Sequence, residues 1–266
     1  MLIESTVHLP ISLAMFQDLF HPPDSVALAR IALRWAHIVA GITWIGLLYF
    51  FNLVNVPLQK GLDADTKKKV NPDLLSRSLW YFRWGAVVTV LVGLAYYAMY
   101  ILSADVNNAN RIGGGHVNVW WVLIAWLTYP IVLFGIEFFI IKKVPALTKD
   151  GRVYAVVMII LIAIVSFGLV KFFNAMLTVG SESYASNKTF SIGLGGGYGI
   201  VMLLNVWGII WPNNKRIIAA TAGTGPAPPP ELARQAFLAS RTNAWVSLPM
   251  LLFMATSEHD WTVFGK

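Results

Sequence analysis

The chain has 266 residues, 57% of them hydrophobic and 12% charged, with 20 Lys and Arg against 13 Asp and Glu and a formal charge of +7. A soluble domain of this length cannot bury so much apolar surface, so the composition, with a mean hydropathy of +0.63, points to a membrane protein. The absence of cysteine excludes disulfides, thiolate metal sites, iron–sulfur clusters and covalent c-type haem, and the positive charge is read as loops facing anionic headgroups rather than as nucleic-acid binding.

Residues 9–20, LPISLAMFQDLF, are apolar but too short to cross a bilayer, and His21-Pro22-Pro23-Asp24 stops any helix there. Residues 1–30 are therefore expected to form an outer segment with a short interfacial helix. Met1–Thr6 has no basic residue, which argues against a cleaved signal peptide. Six stretches then have the length and apolarity to cross ~30 Å of hydrocarbon, at 31–56, 78–102, 118–141, 154–178, 189–211 and 242–260. Asn243, Ser247 and Pro249 interrupt the sixth. The expected fold is all-α: a polytopic transmembrane helix bundle of six spans over residues 31–266. A Pro-rich linker over 222–231 lies between the last two spans.

Lysine and arginine set the orientation. The loops 57–77, 142–152 and 212–241 hold thirteen of them, including Lys60, Lys67, Lys142, Lys215 and Arg241. The opposite side has four: Arg30, Arg111, Lys188 and Lys266. Basic loops on one side of a six-span chain put both termini on the outer, periplasmic side.

His37 lies four positions into the first apolar run, ~9 Å below the outer surface. Arg34, His37, Gly41, Trp44, Leu48, Asn52 and Asn55 follow helical spacing on one face, which is expected to point into the bundle. Lys171 in the fourth span falls at a similar depth. His116 opens the third span and His259 follows the sixth, so with His8 and His21 every histidine maps to the outer half. Neutral imidazoles, an apolar pocket and nearby cations are what haem b requires. His37 with His259 or His116 are the candidate axial ligands. Arg34 and Lys171 are candidates for the propionates, with Gly41 and Trp44 as pocket walls. The plainer alternatives are a structural hydrogen bond for His37, solvated boundary positions for His116 and His259, and snorkelling for Lys171.

Glu137, near the inner end of the third span, is expected to satisfy a buried polar group or to meet Lys142 and Lys143. GLGGGYG (193–199) lacks the lysine of a P-loop. Its spacing instead suits close helix packing through Gly193/Gly197 and Gly195/Gly199.

Four blocks in order, AHIVAGITWIGLLYFFNLVNVP, LWYFRWGAVVTVLVGL, VMLLNVWGIIWPNNKRIIAA and SRTNAWVSLPMLLFMATSEHDW, resemble the membrane domain of bacterial cytochrome-linked urate oxidase (urate hydroxylase). The H-x-x-x-G-x-x-W-x-G pattern of the first span is also similar to the first helix of the haem-binding protoporphyrinogen oxidase family and of copper-resistance D membrane proteins. The resemblance implies a multi-pass protein of the bacterial cytoplasmic (inner) membrane and, if an enzyme, a membrane-bound oxidoreductase of urate-oxidase type. By position, His37 matches the first-span histidine, Arg83 and Trp84 the second-span Arg-Trp, Asn213, Lys215 and Arg216 the P-N-x-[KR] turn, and His259 the histidine after the final span. The family's full enzyme continues into a cytochrome c, whereas this chain reaches Lys266 without a cysteine. A separate cytochrome c or a quinone is therefore the expected electron partner, and urate is not assigned as substrate.

Three functions compete. One is a membrane redox protein holding haem b near the outer surface. Another is a non-catalytic subunit anchoring or bridging a larger respiratory or oxidase complex. The third is copper handling through histidine and methionine.

Overall fold

The structure, a computed structural model, describes residues 24–257 and 262–264. Seven helices occur among them: α1 (Ser25–Gly61), α2 (Ala64–Arg111), α3 (Val119–Lys143), the single turn α4 (Pro145–Thr148), α5 (Gly151–Met176), α6 (Asn187–Thr221) and α7 (Glu231–Thr256). A small antiparallel hairpin, β1 (Thr178–Val179) and β2 (Glu182–Ser183), joins α5 to α6. The all-α expectation therefore holds. The interfacial helix over 9–20, His8, His21 and His259 fall outside the described residues.

Polar caps fix where the helices begin. Asp24 accepts from the Ala27 amide at 2.7 Å, and Asp63 from the Thr66 amide at 2.9 Å and its hydroxyl at 2.7 Å. Asn118, Asp150 and Ser186 do the same for α3, α5 and α6. Asp63 accounts for one difference from the sequence reading. Residues 57–77, expected to form a basic loop, are helical except at Leu62 and Asp63, because the cap restarts a helix that Lys67, Lys68 and Lys69 continue. At 1.5 Å per residue, α2 is roughly 72 Å long, more than twice the ~30 Å hydrocarbon, so its polar ends extend beyond the apolar stretch.

Among the described residues five helices, α1, α2, α3, α5 and α6, are long and apolar enough to cross a membrane. The sixth span, expected over 242–260, corresponds to α7, which has the length but is too polar to join them. Its Gln235, Thr242, Asn243 and Ser247 are buried inside the protein rather than turned to lipid. The outward faces are apolar, with Trp35, Ile42, Ile159 and Phe167 each about two-thirds exposed, as expected of a lipid-facing surface.

Helix α6 is the centre of the bundle, with 67% of its apolar window buried, against 17% for α1 and α5. Gly195 permits its approach to α7, since a β-carbon there would lie 3.2 Å from the Met250 carbonyl oxygen. One core cluster, around Trp44, Phe82, Met202 and Val246, lies toward the basic end; another, around Tyr97, Trp126, Phe173 and Phe190, lies toward the opposite end. Three helices contain a π turn: Phe50–Asn55 in α1, Tyr97–Leu102 in α2 and Val206–Ile210 in α6. Asn52, Tyr97 and Asn205, each at or beside one of these wider turns, make inter-helix hydrogen bonds.

Candidate functional site

A cavity of about 540 Å³ opens between α1, α2, α6 and α7, toward the N-terminal half of α1. Its walls are mainly apolar, and Arg34, His37, Gly41 and Trp44 all line it. From His37 to Asn52 the stripe read from helical spacing therefore faces the interior, with Trp44 1% and Leu48 0% exposed, while Arg34 at its outer end is exposed at the cavity mouth.

His37 is held by one turn of α2. Its Nδ1 lies 2.8 Å from the Thr89 carbonyl oxygen. A carbonyl only accepts, so Nδ1 carries the hydrogen and Nε2 is left as the nitrogen with the lone pair. The Thr89 hydroxyl donates back to the Gly85 carbonyl at 2.7 Å, and its methyl group would lie 3.6 Å from a β-carbon on Gly41. Gly93 completes the seat, because a β-carbon there would stand 2.6 Å from His37 Nδ1 and 2.7 Å from Cε1, closer than such contacts allow. The imidazole thus rests on bare backbone.

Tyr97 donates to the Thr189 carbonyl at 3.2 Å and Trp126 to the Gly193 carbonyl at 2.9 Å, their rings 5.2 Å apart. Both line the cavity, as do Gly196 and Gly199 of the glycine-rich stretch, so that stretch serves the cavity wall as well as packing. Met250, Met254 and Ser257 line it from α7 and the turn after it. The Trp44 indole N–H is buried with no acceptor among the described residues.

The other sequence candidates lie elsewhere. His116 is exposed, in a loop pinned where Asn110 donates to the Val117 carbonyl at 2.8 Å and accepts from its amide at 2.7 Å. Lys171 is exposed on α5, its Nζ 5.4 Å from the Phe167 ring. Neither lines the cavity. No group of three or more histidine or carboxylate side chains is placed to hold a metal ion among the described residues.

A second polar centre, toward the basic end, surrounds Glu137, which is fully buried. Its Oε1 accepts from the Tyr154 hydroxyl at 2.8 Å and its Oε2 from the Asn205 amide at 2.9 Å. Tyr154 also meets the Thr242 hydroxyl at 3.0 Å. Asn205 donates to Asn243 Oδ1 at 3.0 Å, and Asn243 donates to the Met202 carbonyl at 2.9 Å. Helices α3, α5, α6 and α7 are joined through this one carboxyl. Of the two roles expected for Glu137, it is the buried polar partner. Lys142 donates instead to Gln235 at 2.7 Å and to Asn213 at 3.4 Å.

Thr89, Gly93, Tyr97 and Asn205 were not singled out from sequence, and Asn243 was read only as an interruption of the sixth span. The asparagines did leave a signal, each an amide inside an apolar run (LLNVW, TNAWV).

Long apolar helices with lipid-type outward faces, around a cavity presenting one oriented imidazole, define a helical membrane protein. The model of the urate oxidase N-terminal family matches residues 24–266, nearly the whole chain, and the chain belongs to that family. No curated protein and no solved structure matches it.

Proposed function

We propose that the protein is a multi-pass redox protein of the bacterial cytoplasmic membrane that binds haem b in the cavity, where His37 would hold the iron, and passes electrons to a separate cytochrome c or quinone. The observation that carries this reading is the orientation of His37. Its Nδ1–H is taken by the Thr89 carbonyl, the partner arrangement that fixes the tautomer and basicity of a metal-binding histidine. The remaining residues fit the group. Arg34 supplies a cation in the same cavity for a propionate, Gly41 and Gly93 leave room beside the ring, and the buried Trp44 N–H has an acceptor still to find. His259 follows the cavity residue Ser257 by two positions in the sequence and would be the second candidate ligand. Bound there, haem b supplies a one-electron iron couple, while the chain orients the ligand and excludes water.

Six spans with both termini outside remain the proposed topology, α7 being the sixth. The cavity then lies in the half of the bundle away from the basic loops, the half nearer an external electron carrier.

An absorption spectrum and a pyridine haemochrome assay on the purified protein test the reading. A Soret band that stays with the protein after unbound haem is removed, and that His37→Ala abolishes, is the expected result; a wild type that retains no Soret absorbance after incubation with haem and removal of the excess refutes it. Copper handling is the second reading, favoured by the thioethers of Met250 and Met254 in the same cavity as His37. Metal analysis that finds copper and no haem decides for it.

A further inference from the structure

Arg83 of α2 lies five residues beyond the start of the apolar stretch at 78, roughly 7.5 Å along the helix. Its guanidinium stacks on Trp211, with Cζ 3.7 Å from the ring centroid, and lies 5.9 Å from the Trp207 ring. Nε and Nη1 are buried and have no hydrogen-bond partner among the described residues. A guanidinium cannot shed its charge and presents its donors as a planar fork. Charged donors withdrawn from water and left unmet are costly, so this arrangement calls for an anion from outside the chain.

The surroundings say which anion. Trp211 closes the apolar run of α6, and Lys215 and Arg216, one turn further, are exposed. Arg83 therefore sits at the boundary between the apolar and basic parts of the bundle, where an arginine reaches the headgroup level by snorkelling. The next residue, Trp84, meets Trp207 edge to face at 5.5 Å. It also lines a shallow groove of about 380 Å³ between α1 and α2 with Trp35, Val39, Trp80 and Val88. This groove is apolar and open on the outward face of the bundle, with Trp35 67% and Trp80 49% exposed. A soluble anion would leave the groove unexplained, whereas a phospholipid occupies both features.

We propose that Arg83 is the headgroup site of a bound anionic phospholipid of the leaflet on the basic side. The guanidinium holds the phosphate, Trp211 backs it, and one acyl chain lies along the α1–α2 groove. The site shares none of Arg83, Trp207 and Trp211 with the haem cavity and stands whether or not haem binds.

Native mass spectrometry and thermal melting of the full chain in mild detergent, with phosphatidylglycerol or phosphatidylcholine of identical acyl chains, test the proposal. The wild type is expected to prefer phosphatidylglycerol by about tenfold and to melt higher with it, and Arg83→Gln to bring the preference to within about twofold. A double variant, Lys215→Gln with Arg216→Gln, is expected to keep the preference, because diffuse surface charge is not its cause. Should Arg83→Gln fail to fold, Arg83→Lys, which keeps the charge and loses the fork, is expected to bind about fivefold more weakly. The proposal is overturned if the wild type shows no preference or if the Arg83 variant that folds keeps it in full. It is equally overturned if the Lys215/Arg216 pair abolishes the preference, or if inorganic phosphate reproduces the stabilisation.

Discussion

Gly93→Ala is the sharpest probe of the His37 seat. A methyl group on residue 93 would lie 2.6 Å from Nδ1 and 2.7 Å from Cε1, so the ring has to leave the turn that holds it. Three contributions compete. Overpacking of this kind costs ~1–3 kcal/mol. Losing the hydrogen bond to the Thr89 carbonyl costs ~1 kcal/mol. Replacing a mid-helix glycine by alanine returns ~0.5–1 kcal/mol. The net expectation is a loss of about 1–3 kcal/mol, because steric displacement outweighs helix propensity. In a His37→Ala background the first two contributions vanish, and the same change should be neutral or stabilising by up to ~1 kcal/mol. Denaturant unfolding in detergent, followed by tryptophan fluorescence for wild type, both single variants and the double variant, measures the coupling as about 2–4 kcal/mol. Gly135→Ala, where a β-carbon would meet nothing within 4 Å, is the control and should cost nothing. An equal cost for Gly93→Ala in both backgrounds would refute the placement of His37 against this turn.

Glu137→Ala should destabilise by roughly 1–3 kcal/mol, because it leaves one buried Asn205 N–H without an acceptor and the Tyr154 hydroxyl with Thr242 alone; Glu137→Gln, with one acceptor kept, should lose less in the same unfolding assay. Trp126→Phe removes the indole donor to the Gly193 carbonyl while preserving most of the ring, so a loss of ~1 kcal/mol is expected. The hydroxyl and amide of Thr66 hold the Asp63 carboxyl below its ordinary range. A lowered folded value means that the cap is fully effective above the unfolded value of about 3.9 and weakens as pH falls through the folded one. Protection of the first amides of α2, taken as exchange relative to the intrinsic rate at each pH, should therefore fall only below about pH 4, and in Asp63→Ala it should be low at every pH.

Side-chain periodicity made α1 readable in advance. Arg34, His37, Gly41 and Trp44 recur at helical spacing against an otherwise lipid-like background, and they do line one cavity. The partner of His37 could not be read in this way, because it is a main-chain oxygen, and every residue has one. Gly93 was equally silent, since its role is the absence of a side chain beside a ring 56 positions away in sequence. Charge misled at 57–77, where a run of lysines looks like a loop yet forms good helix once Asp63 caps it. Polarity misled in α7 in a different sense: Asn243 and Ser247 read as interruptions of a span, but both are buried against neighbouring helices. Hydropathy records how polar a segment is, not which neighbour its polar groups face.

The π turns have a consequence for how these helices tolerate changes of length. Each accommodates one more residue than an ordinary turn, and removing a residue from a helix rotates everything beyond it by about 100°. A deletion in a regular stretch of α6 would swing Asn205 away from Glu137 or Trp211 away from Arg83, whereas one inside Val206–Ile210 can be absorbed by tightening to α-helical pitch. Single-residue deletions walked along α6 should accordingly find their mildest position at that wide turn, which acts as slack stored in an otherwise rigid rod.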